Sequence, residues 1–274
     1  MKIYISVDLE GASGISCSDY VLKDGALYAT GRRLITKDIN AAVRGAFDGG
    51  ADQVIIFDGH GGRVNVLAED LDPRALLLSG MVHKPRFPML DKSVDGMFLL
   101  GYHAMAGVER GTLEHTMDSK SWHKFKVNGK EYGELGIDAE LAAEAGVPVV
   151  MVSGDDKICA EAKEWLGNVE TAMVKQGLAR NYALCLSPER GQQLVYECAK
   201  RAVERLKAGE TFNMPEIPSP AAVAITYKMV PDADAAESYG SKRLDGYTVE
   251  KTYGHLSEMY GGNWEEFGIE QVVF

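Results

Sequence analysis

Apolar residues along this chain fall into two rhythms. Short runs at residues 3–7, 53–57, 96–101 and 147–153 are apolar on both alternating faces, the pattern of strands buried on two sides. Between them the apolar positions recur at helical spacing. Leu34, Ile35, Ile39, Ala42, Val43, Ala46 and Phe47 form one such face, and Gly49-Gly50 ends it. Ile137, Leu141, Ala142 and Ala145 form a second face behind Gly133-Glu134. Ile158, Ala162, Trp165 and Leu166 form a third behind Asp155-Asp156. Residues 75–79 and 169–174 read as further strands, and residues 124–132 as a hairpin turning at Asn128-Gly129. Ser187-Pro188 opens a helix running to about residue 208. Strands at 221–227 and 246–253 enclose a helix at 231–239. The expectation is an α/β fold: a mostly parallel sheet flanked by helices, with a smaller C-terminal α/β unit. The expected division is a larger unit at 1–186 and a smaller one at 187–274.

The polar residues that end the apolar runs carry the candidate chemistry. The first run stops at Asp8-Leu-Glu10-Gly11, and the second at Asp58-Gly-His60-Gly. In open parallel sheets, ligands lie outside the carboxyl ends of the strands. Strand, helix and strand within the first 58 residues form a right-handed βαβ unit, which brings His60 to the edge that holds Asp8 and Glu10. The run at 96–101 delivers His103 to the same edge, and a glycine-containing loop then leads to His115. Two carboxylates one residue apart repel, and a cation between them relieves the repulsion. Carboxylates and imidazoles together suit zinc. Glu134, at a helix start, is a fifth candidate ligand. Each residue has a plainer alternative: Asp8 caps a turn, Glu10 is solvated, His60 belongs to a glycine turn, His103 is a core imidazole, and Glu134 favours the helix dipole. Their convergence on one edge is what favours a metal. Asp58 either orients an imidazole or shapes its turn. His83 and His123 read as ordinary loop or surface residues.

Composition narrows the picture. With 274 residues, 46% of them hydrophobic, the chain can bury a large core. A formal net charge of -11 argues against nucleic acid or an anionic membrane as partner. No apolar run approaches a membrane span, and the chain enters a strand at once without the pattern of a signal peptide. Cys17, Cys159, Cys185 and Cys198 form no C-x-x-C pair, and Cys159 and Cys198 occupy apolar helix positions. These features lead to the expectation of a cytoplasmic protein. The chain has no Walker A loop or G-x-G-x-x-G after a strand, and no G-x-S-x-G elbow.

Five motifs in register narrow it further: Ser-Val-Asp8-Leu-Glu10-Gly-Ala-Ser-Gly-Ile, Asp58-Gly-His60-Gly, Gly101-Tyr-His103-Ala, His115-Thr-Met, and Asn128-Gly followed by Gly133-Glu134. Together they resemble the zinc-dependent D-aminopeptidases. The resemblance implies two zinc ions per subunit bridged by Asp8, with Glu10 and His60 completing one site and His103 and Glu134 the other. It implies that His115 acts in catalysis as nucleophile or base. It also implies a homodecamer of two stacked pentameric rings. The expected activity is release of N-terminal residues, D-alanine among them, from short peptides. Two rivals stand beside it: another two-metal hydrolase (an amidase, or a phosphoesterase using Arg63 or Arg110), and a non-catalytic peptide-binding protein of an uptake system.

Overall fold

The computed structural model describes residues 1–81 and 84–264. His83 lies outside the described residues. In chain order the elements are β1 (Lys2–Val7), α1 (Tyr28–Gly49), β2 (Gln53–Asp58), β3 (Leu76–Leu78), β4 (Gly96–Leu100), β5 (Trp122–Val127), β6 (Lys130–Glu131), α2 (Glu134–Glu144), β7 (Val149–Asp155) and α3 (Asp156–Leu166). Then follow β8 (Glu170–Ala179), β9 (Tyr182–Cys185), α4 (Pro188–Lys207), β10 (Ala221–Tyr227), α5 (Val230–Ser238), β11 (Lys242–Arg243), β12 (Thr248–Tyr253) and α6 (Leu256–Met259).

The main sheet has the order β3-β2-β1-β4-β7-β8-β9. All its pairings are parallel except β8 with β9. The chain moves outward from β1 through β2 to β3, then returns to the other side of β1 as β4. The crevice between the carboxyl ends of β1 and β4 is therefore the switch point of the sheet, where α/β folds place ligands.

Both faces of β1 are covered, which explains its unbroken apolar run. Ile3, Ile5 and Val7 join a core cluster with residues of α1 and α4. Tyr4, between them, joins the opposite cluster with residues of α2, α3 and the second sheet. A second, antiparallel sheet has the order β11-β12-β10-β5-β6.

Elements from both sides of the expected division at residue 187 pack together. The 124–132 hairpin, from before that point, pairs through β5 with β10, from after it. Residues of α4, in turn, share their core with α1 and β8. The division separates elements that pack together because the hairpin alone cannot bury its apolar face. Strand β8 also runs past residue 174 to Ala179, and the short strands β9 and β11 lie in stretches to which the sequence pattern assigns no element. Cys159 and Cys198 are buried and free, as their positions predict.

Candidate metal centre and active site

Asp8 and Glu10 follow β1 on a loop locked to the end of β4. The Asp8 amide donates to Leu100 O at 2.8 Å, and the Gly11 amide donates to Gly101 O at 2.7 Å. Only glycine permits this approach. A Cβ at Gly11 would collide with the carbonyl of Tyr102, and one at Gly101 with that of Asp8. Gly101 also has φ +75°, in the left-handed region. His103 thus enters the site two residues after the strand end, directly beside Asp8.

Asp8 lies between two imidazoles. Its Oδ1 is 2.8 Å from His60 Nδ1, and its Oδ2 is 3.3 Å from His103 Nε2. Glu10 Oε2 is 3.1 Å from the same His60 nitrogen. Glu134 Oε1 is 3.3 Å from His103 Nε2 and 3.4 Å from His115 Nε2. The rings of His103 and His115 stack with centroids 3.9 Å apart. All six residues of the expected site therefore meet in one place. Among the described residues, two sets hold ligand atoms close enough to share an ion: Asp8, Glu10 and His103, and His103, His115 and Glu134.

Each imidazole is oriented by a backbone carbonyl. His60 Nε2 lies 3.0 Å from Val21 O, His103 Nδ1 3.0 Å from Ala104 O, and His115 Nδ1 3.0 Å from Leu113 O. A carbonyl can only accept, so these nitrogens carry the protons. Such a carbonyl on one nitrogen is the usual support for metal-ligating histidines, and the opposite nitrogens are left facing carboxylates. His103 Nε2 and Glu10 Oε2 are buried and make no hydrogen bond among the described residues. A neutral imidazole lone pair aimed at two carboxylates is repulsive unless a cation lies between them. The donor set therefore fits a metal ion.

The electrostatics agree. Burial alone would raise the Asp8 carboxyl, but the His103 and His60 imidazoles beside it hold it well below the usual carboxylate range. Burial likewise opposes ionisation of Glu134, and the His103 and His115 imidazoles override it, holding it at about 2. Burial also disfavours charge on His60 and His103. Glu10 with Asp8, and Glu134 with Asp8, outweigh it and raise both well above the ordinary histidine value. The carboxylates demand positive charge, which either protons or metal ions can supply.

Several further residues serve the site without a clear sequence signal. Arg86, from the loop before β4, makes a two-pronged ion pair with Asp138, whose Oδ2 lies 2.7 Å from Arg86 Nη2. That places Arg86 3.8 Å from Glu134. Tyr102 Oη donates to Asp138 at 2.7 Å, and Ser6 Oγ lies 2.8 Å behind Tyr102 Oη. Asp138 could have been found, because it follows Glu134 by four residues and shares its helix face. Glu134 itself accepts from the Met117 amide at 2.8 Å, which ties the α2 start to the His115 loop. Asp58 does not touch the His60 ring. It accepts from the amides of Asn65 and Val66, while Asn65 Nδ2 donates to both Asp58 and His60 O. Asp58 therefore shapes the loop, as its turn reading had it.

A cavity of about 510 Å³ opens over these groups, lined also by Leu22, Arg63, Met117 and Lys120. Arg110 points elsewhere, with its exposed side chain beside Glu109. His123 is exposed on β5, and His255 is exposed at the start of α6.

Comparison with known proteins gives the same picture. The chain is 38% identical to the D-aminopeptidase of Bacillus subtilis (strain 168) over 221 residues, covering 80% of this chain and 79% of that protein. The solved structure of the Zn-dependent D-aminopeptidase DppA from Bacillus subtilis, described as a self-compartmentalizing protease, superposes with a TM-score of 0.89. It is 33% identical, and the match covers 95% of this chain and 94% of that one. The profile of the peptidase M55 family, described as D-aminopeptidase, matches residues 1–262. With a family profile over nearly its whole length and its polar groups converging at the switch point, the chain belongs to the M55 family of D-aminopeptidases.

Proposed function

We propose that this family member is a zinc-dependent aminopeptidase that releases N-terminal D-residues, D-alanine among them, from short peptides at a two-zinc centre. The observation that carries this reading is Asp8, which offers one carboxylate oxygen to the His60 side and the other to the His103 side. Asp8 would be shared between the ions, with Glu10 and His60 completing one site and His103 and Glu134 the other. A zinc pair supplies Lewis acidity toward a carbonyl oxygen and a lowered pKa for water.

The chain's own residues do the rest. His115 holds its Nδ1 proton on Leu113 O, so Nε2 is the atom that takes and returns a proton, the step a leaving amine requires. Arg86, pinned by Asp138, places a fixed positive charge next to Glu134. Asp8 and Glu10 give the cavity an acidic wall suited to a free α-ammonium, and Leu22 and Met117 give it apolar contacts. Its volume suits a peptide of a few residues.

The related Bacillus subtilis structure is described as a self-compartmentalizing protease. We assign the same habit to this chain, as two stacked pentameric rings in the cytoplasm. Among the described residues no helix is long and apolar enough to cross a membrane.

The test is release of free D-alanine from D-Ala-D-Ala by chelated protein before and after zinc is restored, with L-Ala-L-Ala in parallel. Zinc-restored cleavage of the D-peptide alone is the expected result. Cleavage of both peptides removes the stereochemical claim, and cleavage of neither overturns the proposal.

A further inference from the structure

Lys175 lies on β8, separated from β1 in the sheet by β4 and β7, and its side chain is buried with 2% exposure. Lysine is rarely found so deep without a specific partner. Its ammonium reaches the loop that leaves β1, donating to Glu10 O at 2.6 Å, Ala12 O at 2.9 Å and Ile15 O at 2.6 Å. An ammonium has three donors, and here each meets a carbonyl of one six-residue stretch. The same loop is gripped from α1, where the buried Asp38 carboxylate accepts from the Ser13 amide at 2.8 Å. It is held from β4 through the Gly11–Gly101 hydrogen bond.

The consequence falls on Glu10. Its Oε2 is buried and, although 3.1 Å from His60 Nδ1, makes no hydrogen bond among the described residues, so its placement depends chiefly on its backbone. That backbone is held at its own carbonyl by Lys175. We propose that Lys175 is a positioning residue: a buried ammonium that fixes the β1 loop so that the Glu10 carboxylate meets His60 and one metal ion. Lys175 itself touches neither metal nor substrate. This inference rests on the reading of Glu10 as a ligand of one of two zinc ions.

The experiment measures stepwise zinc affinity of the full chain by chelator competition, in Lys175→Met, Glu10→Gln and Glu134→Gln, with circular dichroism to confirm folding. Glu10→Gln and Glu134→Gln identify which binding step belongs to which half of the site. In Lys175→Met, the step weakened by Glu10→Gln should weaken by about 10–100-fold, the range for residues that orient a ligand. The step weakened by Glu134→Gln should stay as in the native protein. A purely structural role would weaken both steps alike, and that result overturns the proposal, as does an unchanged Lys175→Met. If Lys175→Met does not fold, Lys175→Gln, which keeps a donor on a shorter stem, is measured the same way. If neither folds, the ammonium is a folding determinant and the positioning role is overturned. If Glu10→Gln leaves both steps intact, the ligand reading itself fails, a result separate from any outcome at Lys175.

Discussion

The charge pattern around Asp8 decides what the residues of this site can do. Three carboxylates and three imidazoles meet with few other partners, and each imidazole has one nitrogen committed to a backbone carbonyl. His115 differs from His60 and His103 in its proposed task, which is proton transfer rather than metal binding. His115→Ala should lower kcat by at least about 100-fold, the usual scale for a lost acid–base group, while bound zinc stays near the native amount. Kinetics paired with metal analysis separate the two, and joint loss of zinc and activity would make His115 a ligand instead. The convergence of the five candidate ligands was legible because each follows an apolar strand or opens a helix at the sheet's active edge. Arg86 and Lys175 were not. Arg86 lies in a loop with no periodicity, and Lys175 sits one residue past the point where the apolar run of β8 reads as ending. Their roles depend on contacts between segments far apart in sequence, which no local pattern encodes.

At the scale of elements, the site depends on the ends of β1 and β4 lying closer than side chains would allow. Gly11 and Gly101 make that approach possible. Gly101→Ala places a methyl group against the Asp8 carbonyl at φ +75°. It should destabilise the fold by roughly 2–4 kcal/mol, read as a lower denaturation midpoint, and weaken zinc binding as well. A variant with native stability and native zinc affinity would show that the loop tolerates a wider gap. The strands and helices of the main sheet were legible from their two apolar periods. The second sheet was harder, because β5 and β6 come from before the α2 helix and β10 to β12 from near the end of the chain. Antiparallel pairing across that distance leaves only short half-buried segments as a trace. Strand β9, with Tyr182 and Leu184 exposed, carries even less.

For the molecule as a whole, buried acids set the pH response. Glu140 on α2 is fully buried and accepts from Tyr132 Oη at 2.7 Å. Burial pushes its carboxyl up from 4.5 to about 7. A raised folded-state pKa means that its contribution to stability is complete below 4.5 and is lost as pH climbs through about 7. Glu140→Gln should remove that loss, so the variant's Tm should fall less than the native protein's between these two pH values. Parallel Tm–pH curves for the two proteins would contradict the assignment. Metal removal should act on the same scale. Zinc held at a hundredfold excess over its Kd stabilises by about 2.7 kcal/mol per site, so chelation should lower Tm by roughly 5–10 °C for each site emptied.

The central claim is that Asp8 is shared between two metal ions, and zinc per chain in purified, zinc-reconstituted Asp8→Ala tests it most directly. Native protein should hold two zinc ions per chain and Asp8→Ala close to none, while Glu10→Ala retains about one. An Asp8→Ala protein that is folded and still carries its full complement of zinc would contradict the shared-aspartate account.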